Sequence, residues 1–151
     1  MSILEDIKQT KPFRSPLEKV TVNILFTSNW LTTEQACFLK KYGLSGQQYN
    51  VLRILRGQHP NPITVNEIIE RMLDKMSNAS RLVDKLLLKG LVERNQRATD
   101  RRACDVSITE KGLKILNEID GLQKNWEGGF SKLTETEAET LSNLLDKLRE
   151  K

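Results

Sequence analysis

The sequence predicts a mainly α-helical fold with one small β-hairpin. Apolar residues recur at helical spacing through most of the chain, and capping residues precede several of these segments. Two strand-like stretches between residues 91 and 108 are separated by a polar segment. The 151 residues, 38% of them apolar, are enough to bury a core without disulfides or metal ions. The predicted order is four helices, a hairpin and two further helices.

The first 44 residues predict an N-terminal arm and one long helix. Residues 1–14 show no periodicity, and we expect a loose arm there. Ser15 followed by Pro16 predicts the start of a helix that runs for about seven turns to Gly43. So long an amphipathic helix leaves apolar surface exposed in a small protein unless another chain covers it, which predicts a dimerisation helix. We expect Cys37 on this helix to be a small buried apolar side chain.

Capping boxes open the next two predicted helices. Ser45 pairs with Gln48 at the first, which we expect to end at Gly57, and a proline-containing turn follows over residues 58–62. Thr64 and Glu67 open the second, which is short. Its buried side is predicted to carry four apolar residues: Ile68, Ile69, Met72 and Leu73.

The following helix is predicted to begin at Ser77 as N-cap and to end at Gly90. At about 100° per residue, one face carries only apolar residues: Ala79, Leu82, Val83 and Leu86. The opposite face carries Ser77, Ser80, Arg81 and Asp84. Two helices joined by a short polar link indicate a helix-turn-helix.

A hairpin and two helices complete the predicted order. The strands cover residues 91–94 and 104–108, with a basic tip over residues 95–102. Thr109 opens a helix whose pattern weakens near Gly128 and Gly129. Thr134 and Glu137 open the last helix, which carries a leucine stripe: Leu141, Leu144, Leu145 and Leu148. The prediction is therefore a winged helix-turn-helix at 45–109, flanked by dimerisation helices at 1–44 and 110–151.

Positive charge is concentrated in one stretch of the chain. Residues 71–102 hold nine basic and four acidic residues, a net charge of +5, while the whole chain carries +4. The remaining residues are close to neutral, with 15 basic and 16 acidic side chains. A polyanion is the partner that this distribution favours, although a solvated basic face would show the same charge.

The side chains in this stretch are suited to double-stranded DNA. Small hydroxyls and Arg81 near a helix N-terminus fit a recognition helix in the major groove, where arginine can bind guanine. The tip arginines Arg97, Arg101 and Arg102 can enter the minor groove or bind phosphates. We expect Asp100 to pair with a neighbouring arginine and so to shape the wing. A plain exposed helix and a plain solvated turn are the alternatives; the two features in direct succession favour DNA.

Several motifs resemble the MarR family of winged-helix regulators. They are the run from Met76 to Arg94, the triplet Asp100-Arg101-Arg102, and the run from Ser107 to Gly112. Nearly the whole chain follows the pattern of that family. The segment from Met72 to Lys75 departs from it, because many relatives have a shorter, glycine-like turn there.

The resemblance implies a homodimer held by the first and the last two helices. Such a dimer would bind a pseudo-palindromic operator, usually as a repressor released by a small molecule or an oxidant. The residues it implies at bases or nearby phosphates are Ser77, Asn78, Ser80 and Arg81, with Arg101 and Arg102 at the wing. Lys85 and Arg97 complete the basic DNA-binding set that we predict.

We expect a small aromatic ligand, rather than cysteine oxidation, to control DNA binding. The aromatic residues Trp30, Tyr42 and Tyr49 are candidates for its pocket, although such side chains more often belong to the core. Cys104 lies near basic residues but also beside Asp105, which opposes a lowered thiol pKa. A thiol-based oxidation sensor and a winged-helix module for protein contacts are the alternative functions.

Other classes of protein have little support in the sequence. The one histidine, His59, lies in a proline-flanked turn, and neither phosphate-binding glycine motif is present, so we expect no enzyme. Two distant cysteines predict neither a zinc site nor a disulfide, and we expect no cofactor. No apolar run is long enough for a membrane span or a signal peptide, which predicts a cytoplasmic protein without membrane contact.

Overall fold

The computed structural model describes residues 2–96, 104–130 and 132–150, with the backbone alone over 123–130. The chain divides into two compact units, residues 1–113 and 114–151. The helices are α1 Ile3–Asp6, α2 Pro16–Lys40, α3 Gly46–Gln58, α4 Val65–Arg71, α5 Ala79–Leu88, α6 Glu110–Phe130 and α7 Glu135–Arg149. The strands are β1 Ile63–Thr64, β2 Val92–Gln96 and β3 Cys104–Ile108.

The strands form one antiparallel sheet in the order β1-β3-β2. In the hairpin Val92 lies opposite Ile108 and Gln96 lies opposite Cys104, so both predicted strands are confirmed. The sequence prediction missed β1, whose Ile63 lies opposite Val106. A strand of two residues is too short to show alternation in sequence, and its pairing partner lies far along the chain.

Four of the predicted helix starts are confirmed by their caps. The side chains of Ser15, Ser45, Thr64 and Thr134 each accept a hydrogen bond from the backbone N–H three residues later, at 3.1 to 3.3 Å. Each bond satisfies one N–H group that has no partner within its helix. Gly90 ends α5 as predicted, with φ of +68°, a conformation that side chains with a Cβ rarely adopt.

Several helix boundaries differ from the prediction, and α2 ends at Lys40 rather than at Gly43. The expected N-terminal arm contains α1, because Ser2 and Glu5 form a capping box and Ile3 is buried. Gly57 lies inside α3, which ends at Gln58 because the residue before Pro60 must leave the helical conformation. The backbone of α6 continues through the glycines at 128 and 129 to Phe130.

The core of the first unit lies between α3, α4, α5 and the sheet. Its largest fully buried side chains include Leu52, Leu55, Ile68, Val83, Leu86 and Val106. Leu73, expected on the buried side of α4, is instead 89% exposed. The helix ends at Arg71 and Met72 has an extended backbone, so the helical periodicity does not continue to Leu73.

Gly112, at the start of α6, allows a close approach of two segments. A Cβ at this position would lie 2.4 Å from the Leu91 carbonyl oxygen and 2.7 Å from Ile108 Cγ1. We expect Gly112→Ala to lower the free energy of unfolding by about 1 to 3 kcal/mol, because backbone must move. Urea unfolding measures this. Gly57→Ala is the control, since a Cβ there meets nothing within 4 Å; an equal loss in both variants would contradict the steric explanation.

Two helices expose most of their apolar side chains. Leu39 is the buried residue of α2, whereas six large apolar residues of that helix are 38% to 70% exposed: Leu17, Val20, Leu25, Phe26, Trp30 and Leu31. No residue of α7 is buried, and its Leu141, Leu144 and Leu148 are 48% to 58% exposed. Among the described residues, none of the helices has the length and apolar character that crossing a bilayer requires.

Candidate nucleic-acid interface

The helix α5 has one fully packed face and one exposed face. Its buried residues are the four that the sequence predicted: Ala79, Leu82, Val83 and Leu86, each at most 8% exposed. The opposite side exposes Ser80, Arg81, Asp84 and Lys85. With α4 it forms a helix-turn-helix in which polar and basic groups are directed to solvent. This is the arrangement that a recognition helix requires.

The N-cap of α5 is Asn78 rather than Ser77, which corrects the sequence prediction. The Asn78 Oδ1 accepts a hydrogen bond from the Arg81 N–H at 3.1 Å. The Ser77 hydroxyl instead donates to Asp74 Oδ2 at 2.9 Å. Asn78 is exposed and Ser77 is half-buried. Both predicted contact residues therefore also hold the beginning of α5 in place.

Asp74 organises the turn between α4 and α5. Besides the Ser77 hydroxyl, its carboxylate accepts hydrogen bonds from the Met76 N–H and from Gln47 Nε2 on α3, both at 2.9 Å. These bonds lower the pKa of Asp74, the one from Met76 having the largest effect. No role for Asp74 was predicted from the sequence. An aspartate often accepts hydrogen bonds from groups two and three residues later in a turn. This pattern could have identified Asp74 from the sequence.

We expect Asp74 to stabilise the fold at neutral pH and to lose this effect in acid. Because its folded-state pKa lies below the ordinary value of 3.8, the unfolded chain takes up the proton first as the pH falls. The difference in free energy of unfolding between the wild type and Asp74→Asn should be constant from about pH 7 to about pH 5 and then narrow. Urea titrations across this range measure it. A difference that persists undiminished at the lowest pH would contradict the assignment.

Asp84, the acidic residue on the exposed face of α5, is paired. Arg94 on β2 approaches it with Nη1 at 3.0 Å from Oδ1. Both side chains are substantially exposed, at 35% and 58%, so the pair adds little stability. It offsets a carboxylate charge that would repel a phosphate, and it connects α5 to β2 of the hairpin. This contact was not predicted from the sequence.

The tip of the predicted wing lies outside the described residues. Arg97, Asp100, Arg101 and Arg102 belong to this segment, and their roles stay predictions. The described part of the hairpin extends to the pair formed by Gln96 and Cys104.

The aromatic residues predicted for a ligand pocket occupy different surroundings. Tyr49 is buried, at 6% exposure. Trp30 is 40% exposed on α2. Tyr42 follows the end of that helix, where its ring lies 6.2 Å from the Phe38 ring. Roughly 15 Å of helix separates Trp30 from the end of α2, at 1.5 Å per residue. A common pocket for these three side chains stays a prediction.

The two cysteines differ from each other in exposure. Cys104 is half-buried, and Cys37 is exposed, which corrects the expectation of a buried side chain. The helix α2 packs on the core at Leu39, and a residue two positions earlier lies about 200° away around the helix. Among the described side chains, no three histidine, cysteine, aspartate or glutamate residues are grouped as metal ligands.

Comparison with known proteins relates the whole arrangement to one family. The profile described as "MarR family" matches residues 42–103. The chain is 31% identical over 111 residues to the transcriptional repressor MprA of Escherichia coli (strain K12), covering 73% of this chain but only 63% of MprA. The chain thus spans less than two thirds of that relative. It is 32% identical over 111 residues to the HTH-type transcriptional repressor MdtR of Bacillus subtilis (strain 168), covering 73% of this chain and 70% of MdtR.

A solved structure supports the fold. A mutant of Escherichia coli MarR in complex with operator DNA superimposes with a TM-score of 0.74 at 24% identity, over 85% of this chain and 92% of that one. The mainly helical fold with its small antiparallel sheet is therefore a winged helix, as the sequence predicted. From the matched profile, the two repressors and this shared fold, we conclude that the chain belongs to the MarR family.

Proposed function

We propose that this protein is a sequence-specific, DNA-binding transcriptional regulator that acts as a homodimeric repressor. The observation that carries the proposal is α5, which buries its apolar face completely and exposes Ser80, Arg81 and Lys85. It is the second helix of a helix-turn-helix whose turn is held by hydrogen bonds, and it precedes two strands whose connecting segment contains three arginines in sequence. A helix N-terminus with a nearby arginine in the major groove reads bases, and basic side chains at a wing bind phosphate or the minor groove.

The exposed apolar residues on α2 and α7 support the dimer. A helix of 25 residues with one buried side chain, and a second helix with none, leave apolar surface that a single chain does not cover. In a two-fold dimer the same surface serves both protomers. The two recognition helices would then lie roughly 34 Å apart in successive major grooves, so the DNA site would be an inverted repeat. We expect sedimentation to give twice the chain mass of 17.3 kDa.

The proposal also covers how the protein acts on transcription and what releases it from DNA. MprA and MdtR are both described as repressors, which favours repression for this chain. We propose release by a small aromatic ligand that stabilises a spacing of the recognition helices unsuited to DNA. The exposure of Cys37 supports thiol oxidation as the second candidate. Peroxide-induced release that disappears when Cys37 and Cys104 are both changed to serine would favour the second candidate over the first.

The proposal is tested by selecting duplexes from a random DNA pool with the full chain and measuring their binding. A regulator of this type should enrich an inverted repeat, and its affinity should fall steeply as the salt concentration rises. Binding without any sequence preference would contradict a specific regulator. No salt-dependent binding to any duplex would instead support a winged-helix module that serves protein contacts.

A further inference from the structure

The turn that joins α4 to α5 directs its side chains in an unusual way. Its apolar residues Leu73 and Met76 are 89% and 93% exposed. Its charged residues are exposed too, but they hydrogen-bond to the protein: Asp74 accepts bonds from α3 and from the turn, and Lys75 Nζ donates to the Glu70 carbonyl oxygen of α4. Two large apolar side chains so exposed on one short turn are unfavourable in water unless a partner covers them.

Two residues of α3 hold this turn in position. Asn50 Oδ1 accepts the Leu73 N–H at 2.9 Å, and Gln47 Nε2 donates to Asp74 Oδ2 at 2.9 Å. Residues three apart lie on the same face of a helix, so Gln47 and Asn50 contact the turn from one side of α3. The Met76 N–H is bound by Asp74 as well. The backbone on either side of both exposed apolar residues is therefore anchored.

We propose that Leu73 and Met76 form an apolar reading edge, which contacts thymine 5-methyl groups in the major groove. This inference rests on the proposed function, in which the N-terminus of α5 enters that groove. Met76 lies two residues before the N-cap Asn78, directly beside the part of a recognition helix that reaches base edges. Thymine is the base with an apolar group in the major groove, and apolar side chains distinguish it by contact with this methyl.

The anchored backbone of the turn also favours contact with a single methyl group. An apolar side chain reads a single methyl group only if its position is held, since a mobile chain loses the contact or accommodates either base. The bonds to Asn50, Gln47 and Asp74 hold the backbone from which both side chains project, and so limit where their apolar groups can lie. Arg81 would read guanine on the same helix, so polar and apolar contacts together would define the half-site.

The experiment compares thymine with deoxyuridine, which lacks only the 5-methyl group. A duplex enriched by the wild-type chain is synthesised with each thymine replaced in turn by deoxyuridine, and affinities are measured for the wild type and for Met76→Ala, Leu73→Ala and Leu88→Ala. Leu88 is the matched control, because it is 89% exposed near the opposite end of α5. Thermal unfolding confirms that all three variants are folded.

We expect at least one deoxyuridine per half-site to weaken wild-type binding about fourfold, the effect of burying one methyl group. This loss should disappear in Met76→Ala or Leu73→Ala and persist in Leu88→Ala, and Met76→Leu should restore it. Wild-type binding that is equal for thymine and deoxyuridine at every position would overturn the inference alone. A loss of affinity on deoxyuridine substitution that is unchanged in both turn variants would also overturn it. The apolar edge would then be assigned to contact with another protein. Failure of the wild type to select any duplex would overturn the proposed function as well.

Discussion

Replacing Leu144 by glutamate should convert the proposed dimer to a monomer and weaken binding to an inverted repeat by about 100-fold or more. Leu144 is 58% exposed in the single chain, so a charge there leaves the protomer intact. In a two-fold interface the substitution buries two like charges, each of which costs several kcal/mol without a partner. A monomer then loses the gain in affinity, about 10² to 10⁴, that comes from linking two half-site contacts. Analytical ultracentrifugation and titration of a selected duplex measure both effects.

Ser142→Glu is the matched control for this experiment. It introduces the same charge into α7, two residues earlier and about 200° around the helix. We expect this variant to remain dimeric and to bind DNA like the wild type. A dimeric Leu144→Glu protein with unchanged affinity would show that the exposed face of α7 does not form the interface.

Arg81→Ala should lower the affinity for a selected duplex by about 1 to 3 kcal/mol and relax the preference at one base pair. Arg81 is exposed in the first turn of α5, from which its guanidinium would reach guanine O6 and N7 in the proposed complex. Arg101→Ala and Arg102→Ala, in the predicted wing, should instead weaken binding to all duplexes and reduce its salt dependence. The measurement is the affinity of each variant for the selected and for scrambled duplexes at several salt concentrations.

The two classes of variant separate base reading from phosphate binding. If Arg81→Ala lowers the affinity for selected and for scrambled duplexes equally, Arg81 contacts phosphate rather than a base. If both wing substitutions leave affinity and salt dependence unchanged, the wing prediction is wrong. The affinity of Lys85→Ala is measured beside that of Arg81→Ala. Lys85 belongs to the same predicted DNA-binding set and lies one turn further from the N-terminus of α5.

Features encoded within one or two helical turns were predictable from the sequence. The capping box of Thr64 and Glu67 marks the start of α4, and the spacing of Leu82, Val83 and Leu86 marks the buried face of α5. Cap and helix in each case depend on neighbours within about four residues. Contacts between distant segments were not predictable in this way. The pairing of Ile63 with Val106 and the bond from Gln47 to Asp74 join residues far apart in the chain.

The sequence by itself determined the order of helices α2 to α7 with the hairpin between α5 and α6, the buried face of α5 and the basic stretch that includes it. Periodicity, capping and composition are local properties, so they are visible before folding. The tertiary structure decided that Leu73 and Cys37 are exposed, that Arg94 neutralises Asp84, and that α3 holds the turn before α5. Exposure and long-range pairing depend on which elements pack together, and no single segment carries that information.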